Sequence, residues 1–294
     1  MNAVVRENAT IEDAIRTVAK ALRTGDLYYG HGTDNAIDEA AWLVLVAAEL
    51  SPVLEPNYRA RLSPEAAERC NRLLEKRVRE RKPLAYLTGS AWFAGHRFMS
   101  DERALVPRSP LAEFIVNDFF GVLDRDPLRI LDLCTGGGCI AIACAYQRMD
   151  AEVVGSDLSP DALELAAENV ALHGMLDRVS LVESDLFASI QGRFDLIISN
   201  PPYVDALDLA AMPAEFRHEP TLGLASGVDG LDITRRILAE AANHLTVNGV
   251  LVVEVGNSAE ALEQAMPELP FQWLTFEAGG GGVFLLHRKD LNAR

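Results

Sequence analysis

The hydrophobic pattern of the second half of the chain is a series of short apolar runs separated by stretches with helical spacing. Runs of four to eight apolar residues fit buried strands, and the stretches between most of them fit amphipathic helices. This alternation predicts a parallel sheet with helices on both faces, an α/β fold. The predicted strands are 129–133, 152–156, 179–183, 194–199 and 249–255, and the predicted helices are 138–148, 161–173 and 231–245.

The first 90 residues have the apolar spacing of helices alone. Helices are predicted at 11–23, 36–49 and 63–81, and the last begins with Ser63 as cap and Pro64 in its first turn. Residues 91–106 alternate between apolar and polar, which indicates a hairpin, and a helix is predicted from 111 to about 122. We therefore expect a helical domain at 1–90, a hairpin and linker helix at 91–126, and a second domain at 127–294 that begins near a junction at 124–127.

The end of the chain has a different pattern. Apolar segments at 271–276 and 283–287 flank four consecutive glycines, 279–282. Two strands joined by a glycine turn predict an antiparallel hairpin at the sheet edge. A phosphate-binding loop is the alternative, but no helix follows the glycines, so we favour the turn.

Composition and charge narrow the classes of function. The chain has 294 residues and a net charge of −16, of which residues 127–294 carry −14. Such an acidic domain is a poor partner for DNA and suits a basic protein or a cationic small molecule. The basic run 76–82 is interpreted as a solvated helix face, with contact to RNA as the alternative. No run is long enough for a membrane helix, and no signal peptide pattern is present, so we expect a cytoplasmic protein.

Cysteine and histidine residues point to no metal site. The four cysteines, Cys70, Cys134, Cys139 and Cys144, have no metal-ligand spacing, and the six histidines are scattered. We interpret the cysteines as small buried residues in a reducing compartment.

The strand at 194–199 stops abruptly at Asn200-Pro201-Pro202-Tyr203. Each proline lacks an N–H and has a fixed φ, so neither a helix nor an inner strand can continue. The Asn200 side-chain oxygen and the Pro201 carbonyl could each accept one N–H of a substrate amide, and Tyr203 could cover its flat face. The alternative is a rigid turn in which Asn200 is a local cap.

A second set of polar residues follows the other strands. Asp132 lies in the first strand and is followed by Thr135, Gly136 and Gly138, a pattern of one acid and close glycines that suits an ammonium better than pyrophosphate. Asp157 ends the next strand and could accept both hydroxyls of a ribose. Asp185 and Leu186 end the third strand, where an adenine edge could lie. Ribose, adenine and ammonium without phosphate together describe S-adenosylmethionine, although the glycine loop alone could be a turn and Asp157 alone a helix cap.

These segments resemble a known family. The run from Asp132 to Ile142 and the Asn200–Tyr203 loop are similar to class I methyltransferases of the protein N(5)-glutamine branch, the HemK-like family, over nearly the whole chain. The segment 106–113, with Ser109-Pro110, and the run 215–219 are similar to the members that methylate large-subunit ribosomal protein L3. One departure is Cys134, where methyltransferases most often have glycine, although this branch tolerates cysteine.

The resemblance implies a Rossmann-like, seven-stranded, mostly parallel sheet with S-adenosylmethionine as cofactor and ribosomal protein L3, free or in an assembly intermediate, as substrate. Asp132, Thr135, Gly136 and Gly138 would line the methionine end of the cofactor, with Asp157 at the ribose and Asp185 and Leu186 at the adenine. Asn200 and Pro201 would hold the glutamine amide, with Pro202 and Tyr203 completing the catalytic loop. Phe98 and Arg108 would border the cofactor pocket, and the alternative for Phe98 is the hairpin core.

Three other functions remain open at this point. A release-factor glutamine methyltransferase would use the same chemistry, and only Ser109-Pro110 and the 215–219 run favour ribosomal protein L3. A DNA adenine-N6 methyltransferase would use the same loop, but the acidic catalytic domain and the lack of a basic target-recognition segment disfavour it. A cofactor-binding protein without catalysis is disfavoured by the intact loop at 200–203.

Overall fold

The computed structural model describes residues 5–52, 54–123 and 129–291. Within these ranges the chain forms two compact units. The helical unit takes residues 1–91, 100–102 and 213–219 as far as they are described. The sheet unit comprises the described residues of 92–99, 103–212 and 220–294. The junction expected at 124–127 lies outside the described residues.

The helical unit is built from capped amphipathic helices. The side chains of Thr10, Asn35 and Ser63 each accept a hydrogen bond from a backbone N–H in the first turn, which satisfies donors that a helix start leaves unpaired. The three predicted helices are confirmed to within two residues, and a fourth short helix was not predicted. The helices are α1 (Ile11–Thr24), α2 (Ala36–Ala47), α3 (Pro64–Glu80) and α4 (Leu84–Thr88).

Buried charges lie at the centre of this unit. Arg77 is 1% exposed, and its Nε atom lies 2.7 Å from Glu39 Oε1. Glu215, from the short segment 213–219, is fully buried and lies 3.5 Å from Arg77 Nη1 and 3.0 Å from Arg81 Nη2. A buried charge is tolerated only when it is paired in this way. The run at 215–219 thus contributes a structural anchor to the helical unit.

The basic run 76–82 is a solvated helix face only in part. Arg77 is buried, Arg81 binds Glu215, and Lys82 Nζ lies 2.7 Å from a carboxylate oxygen of Glu102. The amphipathic pattern did not reveal this, because the acidic partners come from distant positions in the chain. Three of the five cations take part in ion pairs within the helical unit, and contact of this run with RNA stays a prediction. The remaining cations of the run, Lys76 and Arg79, are exposed.

The hairpin expected in 91–106 is present as a two-stranded sheet of β1 (Ser90–Phe93) and β2 (His96–Met99). The helix expected from 111 to about 122 is shorter. It forms α5 (Leu111–Val116), and a 3₁₀ turn at Asp118–Gly121 follows it. Positive φ angles at Asp118, Phe119 and Phe120 take the backbone out of the α region and end the helix.

The sheet unit contains a seven-stranded sheet in the order β5-β4-β3-β6-β7-β9-β8. Strands β3 to β7 are parallel, while β9 is antiparallel to β7 and β8 is antiparallel to β9. The predicted parallel sheet and its antiparallel C-terminal hairpin are therefore confirmed. The elements are β3 (Arg129–Leu133), α6 (Cys139–Gln147), β4 (Glu152–Asp157), α7 (Pro160–Leu172), β5 (Val179–Glu183), β6 (Phe194–Ser199), α8 (Ala206–Ala211), α9 (Asp232–His244), β7 (Leu245–Glu254), α10 (Ala259–Ala265), β8 (Gln272–Trp273), β9 (Val283–His287) and α11 (Arg288–Leu291).

Side chains of the central strands alternate between two cores. Ile130 of β3 and Ile198 of β6 lie in the core shared with α5, α6 and α7, while Leu131 and Ile197 lie in the core shared with α9 and α10. This two-residue period is what a strand covered on both faces requires. No helix in the described ranges is long and apolar enough to cross a membrane.

Two strands differ from expectation in their bounds: β8 (Gln272–Trp273) is shorter than the predicted 271–276, and β7 starts earlier than predicted. β7 begins at Leu245, four residues before the predicted start. The pairing of β6 with β7 shifts from Phe194–Leu245 to Leu196–Val250, so the polar residues between Leu245 and Val250 bulge out of register. Bulges of this kind break the local apolar pattern on which the prediction relied.

Candidate active site

The carboxyl ends of the five parallel strands place the predicted polar residues in one row. From β3, the chain runs outward through β4 and β5 and then returns to β6 on the opposite side of β3. β3 and β6 therefore flank a topological switch point, which is where open α/β sheets bind ligands. With neighbouring strands about 4.8 Å apart, the row of strand ends spans roughly 19 Å. That length suits an extended nucleoside and a second ligand beside it.

The loop after β3 makes a tight turn into α6. Cys134, Gly136 and Gly138 have φ angles of +59°, +54° and +82°, in the left-handed region that glycine adopts most easily. The positive φ angle at Cys134 explains why methyltransferases most often have glycine at this position. A Cβ atom on Gly138 would lie 3.2 Å from Cβ of Ala166, so the absence of a side chain lets α6 start against α7.

Asp132 lies beneath this loop with an incompletely satisfied carboxylate. Its Oδ2 atom accepts hydrogen bonds from Thr135 Oγ1 at 2.5 Å and from the backbone N–H of Ala141 at 3.0 Å. Its Oδ1 atom is buried and has no partner among the described residues. Burial raises the pKa of Asp132 to about 7, against the effect of the two hydrogen bonds. A cation at Oδ1 would remove this penalty.

Asp157 joins the end of β4 to the glycine loop. Its Oδ2 atom accepts a hydrogen bond from Gly136 N–H at 2.9 Å, and its Oδ1 atom accepts one from Ser159 N–H at 2.9 Å. The cap of α7 is the Ser159 hydroxyl, so Asp157 is not the helix cap. Each carboxylate oxygen has a second lone pair, which leaves acceptor capacity for ribose hydroxyls. Burial raises the pKa of this carboxyl as well.

Asp185 and Leu186 follow β5, as the sequence predicts, but Asp185 has a partner that was not foreseen. The carboxylate is half-exposed, and its Oδ1 atom lies 2.8 Å from Arg236 Nη2 of α9. Leu186 is 6% exposed and has a φ angle of +50°. Only a small part of the Leu186 side chain is therefore available to an adenine. Sequence reasoning missed Arg236, because it lies 51 positions from Asp185 and has no local signal.

The Asn200 loop begins beside the glycine loop. Ser199, the last residue of β6, donates its hydroxyl proton to the carbonyl of Leu133 at the end of β3, at 2.7 Å. Asn200 is half-buried, and none of the described residues hydrogen-bonds to its side-chain amide. The alternative in which Asn200 is a local cap thus lacks the hydrogen bond that it needs. The amide side chain is available to a ligand.

Glu254 is a site residue that the sequence analysis missed. It ends β7, is 3% exposed, and accepts a hydrogen bond from the Tyr203 hydroxyl at 2.9 Å. Its other oxygen lies 2.5 Å from the Ser109 hydroxyl, which donates to it. The sequence analysis placed Glu254 inside a strand predicted at 249–255, so its position at the carboxyl end of β7 was not recognised.

Arg108 and Phe98, the two residues expected to border the cofactor pocket, lie in different surroundings. Arg108 lies in the segment beside Glu254, where its charge lowers the pKa of that carboxyl. Phe98 is completely buried, with its ring 6.5 Å from that of Phe93 and 4.7 Å from that of His173, beyond the last turn of α7. A fully buried ring presents no surface to a ligand. The expectation that Phe98 borders the pocket is therefore corrected to a place in the hairpin core.

Comparisons with known proteins agree with this architecture. The family model described as Methyltransferase small domain matches residues 119–216. A ribosomal protein uL3 glutamine methyltransferase from Neisseria gonorrhoeae is 44% identical over 99% of this chain and 98% of its own length. A protein of the same name from Francisella tularensis is 44% identical over 98% of this chain and 93% of its own length. Together, the mostly parallel sheet and the row of loops at its switch point define a class I methyltransferase.

Within that class, the chain belongs to the family of ribosomal protein uL3 glutamine methyltransferases. Solved structures are more distant. A methyltransferase from Pyrococcus furiosus is 17% identical over 65% of this chain and 88% of its own, with a TM-score of 0.48. A methyltransferase from Podospora anserina, solved with SAH bound, is 20% identical over 59% of this chain and 75% of its own, with a TM-score of 0.41.

Proposed function

We propose that this protein transfers a methyl group from S-adenosylmethionine to the side-chain amide nitrogen of a glutamine in large-subunit ribosomal protein L3. The observation that carries the proposal is the pair of adjacent loops after β3 and β6, with an orphaned carboxylate oxygen in one and an available amide in the other. The full-length similarity to proteins named for this substrate supports it. A cytoplasmic location follows from the substrate.

The residues of the row fit the cofactor. An ammonium group would satisfy the buried Oδ1 atom of Asp132 and stabilise its charged form. Asp157 has lone pairs for ribose hydroxyls, while Asp185 and Leu186 would flank the adenine. When bound, S-adenosylmethionine supplies a methyl group that a positively charged sulfur activates. The carboxylates of Asp132 and Asp157 suit such a cation, whereas the charge of Asp185 is paired with Arg236.

Asn200 and Pro201 would hold the substrate amide. The lone pair of an amide nitrogen is delocalised, so the nitrogen is a weak nucleophile. If the Asn200 oxygen and the Pro201 carbonyl each accept one N–H, the lone pair is held in one direction and the developing positive charge meets two fixed acceptors. Tyr203 would pack on the planar group. The proton leaves after transfer, when nitrogen is far more acidic, so no covalent nucleophile is required.

We assign recognition of the substrate polypeptide to the helical unit, so that only one glutamine reaches the Asn200 loop. The net charge of −14 in residues 127–294 favours a basic protein substrate over a nucleic acid. The assay that tests the substrate presents purified enzyme and labelled methyl donor to ribosomal protein L3, a release factor and duplex DNA in parallel. We expect label on a glutamine of ribosomal protein L3 alone. Label on the release factor would keep the chemistry and overturn the substrate, and label only on DNA would overturn both.

A further inference from the structure

Tyr203 is held from several sides within the sheet unit. Its hydroxyl donates to Glu254 Oε1 at 2.9 Å, and its carbonyl accepts a hydrogen bond from Ser258 Oγ at 3.0 Å. Its ring lies on Gly256, where an added Cβ atom would come within 2.6 Å of Cε2 of the ring. A Cβ atom on Gly230 would collide with the Tyr203 carbonyl. Gly256 and Gly230 therefore leave the space that the ring and the carbonyl of Tyr203 occupy.

The C-terminal glycines support the surface beneath the ring. Gly282 has a φ angle of +69° and packs so closely on Gly256 that any side chain would collide with the Gly256 backbone. Its carbonyl accepts a hydrogen bond from Val255 N–H at 2.6 Å. A Cβ atom on Gly280 would lie 3.1 Å from Cβ of Pro110. Part of the glycine run, interpreted from the sequence only as a turn, thus lies directly behind the Tyr203 loop.

Glu254 joins these parts. In the pairing of β6 with β7, Ser199 lies opposite Val253, so Glu254 follows in register beside Asn200. One carboxylate oxygen holds the Tyr203 hydroxyl and the other holds Ser109, which belongs to the segment 106–110. Burial raises the pKa of Glu254 to about 7, while Ser109, Tyr203 and the charge of Arg108 lower it. A buried carboxylate of this kind is costly unless both oxygens are engaged.

We propose that Glu254 is a positioning residue that holds the Tyr203 ring beside Asn200 and ties it to the segment 106–110 through Ser109. The inference deepens the proposed function and rests on it, since the ring matters only if a planar amide is held at Asn200. Glu254 acts specifically through its hydrogen bond with the Tyr203 hydroxyl. If the Glu254 side chain merely filled the end of β7, its removal would lower stability, and its effect on kcat would not depend on the Tyr203 hydroxyl.

The kinetic test compares Glu254→Ala, Tyr203→Phe and the double variant with wild-type enzyme. We expect each single variant to lower kcat about tenfold, the effect of one lost hydrogen bond of about 1.4 kcal/mol. The Kd for cofactor should stay within about twofold of wild type. The double variant should lose little more than either single variant, because both remove the same interaction. Additive losses in the double variant would overturn the proposal.

Two further variants separate positioning from folding. Glu254→Gln keeps an acceptor for Tyr203 and should retain most of the kcat that Glu254→Ala loses. Ser109→Ala removes one partner of Glu254 and leaves the carboxylate in place, so it remains informative if Glu254→Ala fails to fold. We expect a loss of about threefold for Ser109→Ala, smaller than for Tyr203→Phe, and an unchanged kcat would remove Ser109 from the proposal. Glu277→Ala, at an exposed carboxylate of the same unit, is the matched control.

A spectroscopic test needs no substrate. With 3-fluorotyrosine in all six tyrosine positions, the ¹⁹F resonance of Tyr203 is assigned from its loss in Tyr203→Phe. We expect it to shift with pH near the Glu254 pKa of about 7 in wild type and not in Glu254→Gln. A resonance unchanged by Glu254→Ala would overturn the proposal. If wild-type enzyme does not methylate ribosomal protein L3, the proposed function fails and this comparison still tests the Glu254–Tyr203 link.

Discussion

Asn200 is the residue on which the proposed chemistry depends most. It directly follows β6, beside the glycine loop of the neighbouring strand, and its half-buried amide is not engaged by other described side chains. A preorganised acceptor of this kind acts on the nitrogen while charge develops, when it has most effect on rate. The neighbouring Asp132 has the complementary role, because its unpartnered oxygen offers negative charge to a cationic ligand.

The variant Asn200→Ala should lower turnover roughly 100-fold or more, by analogy with the loss of one oxyanion-hole donor. Cofactor affinity should change little, because the other strand ends remain intact. Turnover and calorimetric binding of S-adenosylhomocysteine are the two measurements. Asn248→Ala, at an exposed asparagine of the same sheet unit, serves as control. A variant of Asn200 that keeps most of its rate would contradict the assignment.

The raised pKa of Asp132 predicts that cofactor binding depends on pH. Since its pKa is about 7 in the absence of ligand, the carboxylate is partly protonated below neutrality. An α-amino group keeps its proton up to about pH 7.7–8.0. Cofactor affinity should therefore rise as the pH increases from 6 to 7.5.

The control for this dependence is Asp132→Asn, which cannot ionise. It should bind cofactor about 10- to 100-fold more weakly at pH 7.5, the range expected for one charge-assisted hydrogen bond. Its affinity should also lose the rise between pH 6 and pH 7.5. Calorimetry at several pH values provides both readings, and an unchanged slope in the variant would assign the titration to another group.

At the scale of elements, the carboxyl end of β7 and the glycine loop behind it act as one support. β7 ends in Glu254, the chain turns at Gly256, and Gly282, in the connection between β8 and β9, packs on that turn. Both glycines have positive φ angles. A loop with this geometry leaves room for the Tyr203 ring only while side chains are absent.

The variant Gly256→Ala should displace the Tyr203 ring and lower turnover by about tenfold or more, because its Cβ atom would lie 2.6 Å from the ring. Gly279→Ala is the matched control. It has a comparable positive φ angle of +87°, so it carries the same kind of backbone strain, but its Cβ atom would meet nothing within 4 Å. Equal activity of the two variants would show that strain alone, and not the ring contact, matters.

The periodicity of apolar residues and the positions of strand ends allowed part of the fold and of the candidate site to be predicted from the sequence. Apolar runs and their Gly or Pro boundaries located the five parallel strands, and strand ends located Asp157 and Asn200 at one edge of the sheet. Contacts between distant positions leave no such pattern. Glu254 meets Tyr203 from 51 positions away and Ser109 from 145. Phe98 shows the same limit, since a buried ring and a pocket ring have identical alternation in a strand.

At the scale of the whole molecule, the chain separates into a helical unit and a sheet unit, and segment 213–219 belongs to the former although its neighbours in the chain belong to the latter. The helical unit depends on a buried charge cluster in which Arg77 faces both Glu39 and Glu215. Breaking a buried pair leaves an uncompensated charge, which costs far more than an exposed pair contributes.

The variant Arg77→Met should lower the free energy of unfolding of the helical unit by about 3–5 kcal/mol. Lys76→Met, at the exposed neighbouring position, should change it by less than about 0.5 kcal/mol. Adding Glu39→Gln to Arg77→Met should restore part of the loss, because Glu39 loses the Arg77 guanidinium that pairs with it, whereas Glu215 keeps Arg81. Urea unfolding followed by circular dichroism compares the variants, and equal effects at positions 76 and 77 would contradict the buried cluster.

The central claim is methylation of a glutamine in ribosomal protein L3, and mass spectrometry of ribosomal proteins from cells with and without this gene tests it most directly. We predict that loss of the gene removes the mass of one methyl substitution from a single glutamine of ribosomal protein L3. Release factors should be unchanged, and a catalytically impaired Asn200→Ala gene should not restore the modification. An unmodified mass for ribosomal protein L3 in cells that carry the gene would contradict the account.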